Sequence, residues 1–210
     1  MSPLNDAEID LRHLLNRGYP QKGALNFVAG HYLLDQDQRN YLARKVSSDQ
    51  KALERKVKIV DFTDLKDQTL LIDGYNVLIT LENVLHHPDT ILESDDGVLR
   101  DTKAVFGKYR PHPDTASTLN TLISFLREAQ VRRVDFFYDR PVSKSGELAK
   151  LTREMMERNQ FPGSATTSPC VDRELAKNSA DTVVATSDGP LMDKVEKVVD
   201  LPGLIRNELK

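Results

Sequence analysis

Short apolar runs that end in aspartate, separated by stretches with helical spacing, constrain this chain more than any other feature. Leu70, Leu71 and Ile72 lead into Asp73, and Phe136, Phe137 and Tyr138 lead into Asp139. Val183, Val184 and Ala185 lead through Thr186 and Ser187 to Asp188. Runs this apolar are strands buried on both faces, which is the habit of parallel sheets. The stretch 115–129 places Leu119, Leu122, Ile123 and Leu126 on one helical face. Strand–helix alternation of this kind predicts an α/β domain with a mostly parallel sheet flanked by helices, over residues 59–210. Residues 1–58 read differently. Apolar positions at Ile9, Leu11, Leu14 and Leu15, then at Ala24, Leu25, Phe27 and Val28, predict helices. A polar third helix over 37–46 and a fourth capped by Ser47 or Ser48 complete a small all-α N-terminal domain. Asp6 is the expected cap of the first helix, and the polar stretch 86–97 is expected as a surface loop.

Composition narrows the class. Of 210 residues, 39% are apolar and 29% charged, enough for a packed core. No apolar run approaches the length of a membrane-spanning helix, and the first residues lack the basic-then-apolar layout of a signal peptide. A single cysteine, Cys170, excludes an internal disulfide framework and a Cys-rich zinc site. The expected location is the cytoplasm, with no membrane partner. Net charge is −3, but from Arg39 to Lys58 seven basic residues face only Asp49 and Glu54. A basic face beside an acidic pocket suits an enzyme that holds a polyanion and binds a cation; a solvated helix face accounts for the charge equally well.

The acids carry the chemistry. In an open parallel sheet the carboxyl ends of the strands share one edge, where ligands bind. Asp73, Asp139 and Asp188 end strands, and Asp172 opens a short helix ahead of the last of them. Clustered carboxylates raise one another's pKa and destabilise the fold unless a cation sits among them. Oxygen ligands without His or Cys favour Mg²⁺ or Mn²⁺. Metal-bound water beside a phosphoryl group then points to phosphodiester hydrolysis. The competing reading makes each Asp a helix cap or turn residue. Three further candidates stand in a second tier. Asn76 follows Gly74 at a helix start, Asp181 begins a strand rather than ending one, and Asp193 follows Asp188 by five residues. Arg140 and Lys144 are placed to grip a phosphate, or to form ordinary loop salt bridges. Arg100, Lys103, Lys108 and Arg110 make a second basic stretch, with Tyr109 available for base stacking. None of the five histidines lies in a motif that would activate Cys170.

At Leu71–Leu78 the sequence is similar to the opening strand and turn of NYN-type members of the PIN-like nuclease superfamily. Val171–Ala176 and Asp181–Asp188 resemble that group's later acidic motifs, in which an Asp opens a helix and the next strand ends in Ser-x-Asp or Thr-x-Asp. The resemblance covers about residues 68–200 and leaves the helical N-terminus outside it. It implies a Rossmann-like sheet, a Mg²⁺ or Mn²⁺ site and RNA cleavage, with Asp73, Asp139, Asp172 and Asp188 as metal-site acids and Asn76 beside them. RNA is then the expected partner, and the N-terminal helices either position substrate or form a homo-oligomer. Two rivals remain. One is a non-catalytic RNA-binding or scaffold protein on the same fold. The other is a haloacid-dehalogenase-like phosphatase, whose final acidic motif Asp188–Asp193 resembles, although Tyr75 stands where that chemistry needs a second Asp.

Overall fold

The computed structural model describes residues 3–103, 107, 109–177 and 181–209. In chain order its helices are α1 (Pro3–Asn16), α2 (Gln21–His31), α3 (Gln36–Lys45), α4 (Asp49–Lys56), α5 (Gly74–His86), α6 (Pro113–Glu128), α7 (Ser145–Arg158), α8 (Val171–Leu175), α9 (Gly189–Met192) and α10 (Leu201–Glu208). Its strands are β1 (Thr69–Asp73), β2 (Ile91–Glu93), β3 (Leu99–Asp101), β4 (Arg133–Asp139), β5 (Gly163–Ser168), β6 (Thr182–Ala185) and β7 (Val198–Val199). Two compact units result, Met1–Val57 with Thr90–Ala104, and Lys58–Asp89 with Val105–Lys210.

In the second unit β1, β4, β5, β6 and β7 form one parallel sheet in the order β5-β4-β1-β6-β7. This is the Rossmann-like α/β architecture. Leu70, Ile72, Val134, Phe136, Val183 and Val184 are buried, as a sheet covered on both faces requires. Helices α5, α6 and α10 pack on one another, while α7 and α8 pack on the strands. From β1 the chain steps outward to β4 and β5, then returns across β1 to β6 and β7. The reversal lies between β1 and β6, so the carboxyl ends of those two strands border the crevice where such sheets bind ligands.

Gly74 makes the first strand–helix turn possible. It opens α5 directly after the last residue of β1. A Cβ there would lie 2.5 Å from Tyr138 Cδ1 and 2.8 Å from the Phe137 carbonyl oxygen. Only glycine lets the turn nest against β4.

Strand β5 has no counterpart among the apolar runs of the sequence. Its residues, Gly-Ser-Ala-Thr-Thr-Ser, carry little apolar signal, and it forms because the open side of β4 offers a ladder from Val134↔Gly163 to Asp139↔Ser168. Helix α9 is short. Lys58 Nζ donates to the Met192 and Asp193 carbonyls at its end, and the chain then turns into β7. Asp6 lies within the first turn of α1 rather than ahead of it.

In the first unit, α1–α3 enclose Leu11, Val28, Ala29, Leu42 and Val46. Asp35 caps α3 in a reciprocal box with Gln38, and Ser48 caps α4 through the Lys51 amide. The stretch expected as a surface loop is instead a helix end followed by the β2–β3 hairpin, with Asp95 and Asp96 turned inward and Asp89 and Glu93 exposed. Asp96 is 0% exposed and accepts from Arg55 Nη1 (3.1 Å), Arg100 Nη2 (2.7 Å) and Ser94 Oγ (2.5 Å). Burial alone would push this carboxyl up. The charge and hydrogen bond of Arg100, with the bonds from Ser94 and Arg55, outweigh it and hold Asp96 below the usual carboxylate range. Arg12 clasps Asp95 through Nε (3.1 Å) and Nη2 (2.8 Å). The basic run 39–58 is therefore no single solvent face: Arg55 is interior, and Lys58 belongs to the other unit. No helix of the described residues is long and apolar enough to cross a membrane.

Two substitutions probe these constraints. Gly74→Ala should lower stability by about 1–3 kcal/mol in chemical denaturation, as overpacking does, whereas Gly146→Ala, with nothing within 4 Å of its Cβ, should be near neutral. Asp96→Ala strands two buried guanidinium groups and should cost about 3–5 kcal/mol; a loss below 1 kcal/mol would contradict the buried network.

Candidate active site at the carboxyl edge of the sheet

Asp73 is the last residue of β1 and only 8% exposed. It precedes α5 without capping it through a side-chain hydrogen bond. Its Oδ2 instead accepts from the Thr186 hydroxyl, at 3.0 Å. Thr186 Oγ1 in turn accepts from the Asp188 backbone amide, at 3.1 Å. Beside this link, Asn76 Oδ1 accepts from the Ser187 amide (2.7 Å) and the Ser187 hydroxyl (3.0 Å). The turns after β1 and β6 are thus laced together across the point where the sheet order reverses.

The other acids lie along the same edge. Asp139 ends β4 and is half-buried. Asp188 follows β6, and its Oδ2 accepts from the Leu191 amide at 3.1 Å, so it caps α9. Asp172 sits in the first turn of α8, exposed, 3.5 Å from Lys194 Nζ.

Electrostatics couples the four in series. Burial pushes the Asp73 carboxyl up to about 7, and the charges of Asp188 and Asp139 push the same way. The Thr186 hydroxyl and the nearby Asn76 amide pull against them without prevailing. Burial also raises Asp139, with Asp172 adding to the effect. Among the described residues, none of the groups acting on Asp73 is a cation.

Residues 62–204 match a family described as a domain of unknown function, DUF5616, and residues 3–58 match one described as a protein of unknown function, DUF434. The chain belongs to the DUF5616 family. Over 200 residues it is 38% identical to the uncharacterized protein MJ0935 of Methanocaldococcus jannaschii, an overlap spanning 94% of each chain. No solved structure matches it.

In this DUF5616 domain the acids expected as a ligand set are not a closed cage. No group of three or more His, Cys, Asp or Glu side chains among the described residues is arranged to hold a metal ion. Asp73 accepts from the Thr186 hydroxyl, Asp188 from the Leu191 amide, and Asp172 lies beside Lys194, so these three are engaged by separate donors. The donor set still fits Mg²⁺ or Mn²⁺. Such ions keep several waters and meet one or two protein carboxylates, a role that Asp73 can share with Asp139 or Asp188.

The remaining candidates separate by position. Asp181 precedes β6 and lies at the opposite, amino-terminal edge of the sheet, exposed and away from the acids. Asp193 ends α9, exposed. Arg140 and Lys144 lie exposed on the β4–α7 connection just beyond Asp139; Lys144, at φ 68°, pairs with Glu147 at 3.4 Å. The second basic stretch does not hold together as a track for RNA. Arg100 is buried against Asp96 in the first unit, and Lys108 lies outside the described residues. Tyr109 is buried, its hydroxyl donating to Glu82, and offers no face for stacking. Sequence reasoning missed Thr186 and Ser187. Their signal was the Thr-Ser-Asp run itself, whose two hydroxyls reach the turn after β1.

Because Asp73 is held well above its unfolded carboxylate value of 3.8, the folded chain binds the extra proton between there and about 7. Stability therefore falls as pH rises through that window. In EDTA, Asp73→Asn should gain stability relative to the native chain between about pH 5 and pH 8, by on the order of 2 kcal/mol. Parallel pH profiles in thermal unfolding would contradict the buried-carboxyl reading.

Proposed function

We propose that this edge is the site of metal-dependent hydrolysis of RNA phosphodiester bonds, in a cytoplasmic enzyme. The observation that carries the reading is Asp73: a buried strand-end carboxylate at the reversal point of a parallel sheet, acted on by two other carboxylates and, among the described residues, by no cation. A divalent ion held by Asp73 with Asp139 or Asp188 would relieve that repulsion. Bound there, Mg²⁺ or Mn²⁺ supplies charge neutralisation at the phosphoryl oxygens and a water of lowered pKa.

The chain's own residues would orient the reaction. Thr186 fixes the rotamer of Asp73, and Ser187 fixes Asn76, so both side chains present set atoms to the crevice. Arg140 and Lys144 meet the scissile phosphate from the β4 side. The choice of RNA rests on the resemblance of Leu71–Leu78 and Asp181–Asp188 to NYN-type members of the PIN-like superfamily. The phosphatase alternative is weakened by Tyr75, which is 1% exposed and packed edge-on against Tyr109 and Tyr138 in the place of a second carboxylate. The helical N-terminal unit would serve substrate positioning or self-association.

The test is cleavage of a labelled single-stranded RNA with Mn²⁺ and with EDTA. The native chain should cut only with metal, and a folded Asp73→Asn variant should lose at least about 100-fold in rate. Turnover of a phosphomonoester without RNA cleavage would favour the phosphatase. Absence of both would leave a non-catalytic RNA-binding protein, to be checked by RNA affinity.

A further inference from the structure

A further buried carboxylate lies outside the row of acids. Glu82, on the third turn of α5, is 6% exposed. Its Oε1 accepts from the Tyr109 and Thr115 hydroxyls, each at 2.8 Å, and its Oε2 lies 3.1 Å from His112 Nε2. Thr115 Oγ1 also accepts from the His112 backbone amide, at 3.1 Å. All these donors come from one short segment ahead of and into α6. A carboxylate this deep is costly to bury unless donors surround it, so the segment and Glu82 fix one another.

The segment carries Arg110 between the two anchors. Arg110 is exposed, and its Nη1 donates to the Tyr109 carbonyl at 2.7 Å, which keeps the guanidinium close to its own backbone. The Tyr109 ring packs edge-on against Tyr75, centroids 5.6 Å apart, and Tyr75 packs likewise against Tyr138, at 5.3 Å. Tyr75 stands two residues beyond Asp73, and Tyr138 immediately precedes Asp139. A stack of three tyrosines therefore connects Arg110 to the row of acids. Consistent with this, Asp139 and Arg110 act with opposite sign on the Tyr75 hydroxyl.

We propose that Arg110 binds a phosphate of the RNA at the rim of the acidic crevice, and that Glu82 is the positioning residue that holds it there through Tyr109 and His112. This rests on the RNA-hydrolysis reading. A row of carboxylates repels a polyanion, and an arginine fork at its rim supplies a planar, two-donor contact for a phosphate away from the reacting one.

The experiment is fluorescence anisotropy of a labelled single-stranded oligoribonucleotide on the full chain, in EDTA, across a salt series, with metal-dependent cleavage run in parallel. Arg110→Ala should weaken binding about tenfold and reduce the slope of log K against log salt by about 0.7, one single-strand phosphate contact. Glu82→Ala should lose the same slope increment. The double variant should lose no more than either single change, the signature of residues acting as a unit. Glu82→Gln, whose Oε1 still accepts both hydroxyls, should restore most of the affinity. An unchanged slope in Arg110→Ala, with the native chain binding and cutting RNA, overturns this inference and leaves the function standing. Additive losses in the double variant, or no rescue by Gln, overturn the positioning role of Glu82. A native chain that neither binds nor cuts RNA overturns the functional reading and this one with it.

Discussion

Asp73, Glu82 and Asp96 are three of the buried carboxylates in this protein, and their surroundings differ in charge. Asp96 is held by two arginines and a serine. Glu82 is held by two hydroxyls and a histidine. Asp73 has a threonine hydroxyl, a nearby amide and two further carboxylates. Left alone, such a group is a cost to folding, since desolvation and like charge both oppose its ionised form. Where a fold keeps that cost at the mouth of a ligand crevice, function is the natural compensation.

The surrounding design follows from where Asp73 sits. A strand that feeds a helix with no linker needs Gly74, because the first turn of α5 lies against Tyr138 and Phe137. The return of the chain across β1 brings the turn after β6 alongside, and Thr186 and Ser187 then reach Asp73 and Asn76. Asp139 arrives from β4 on the other side. The parallel sheet thus delivers acids from three strands to one edge, where Asp188 caps α9 and Asp172 pairs with Lys194.

Most of this edge was legible in the sequence because a short, continuously apolar run announces a buried strand, and a parallel strand announces which end faces the crevice. Asp73, Asp139 and Asp188 needed nothing more. Asp181 could be set apart on the same logic, since it begins a strand. What the sequence concealed depended on partners far along the chain. The hairpin at 91–101 reads as polar loop because its acids meet Arg12 and Arg55, dozens of residues away. Strand β5 has almost no apolar signal and borrows its ladder from β4. Tyr109 looks like an exposed stacking residue until Glu82 is seen to take its hydroxyl inside. Local pattern identifies elements and edges; it cannot tell which charges a distant residue has already claimed.

The central claim is that the carboxyl edge, with Asp73 at its heart, is a cation site. Its most direct test is anomalous scattering from Mn²⁺ in crystals of the native chain. The account predicts a peak in coordination contact with the Asp73 carboxylate and with Asp139 or Asp188, lost in Asp73→Asn crystals. An ordered edge that stays empty at saturating Mn²⁺, or a peak elsewhere that survives Asp73→Asn, would contradict it.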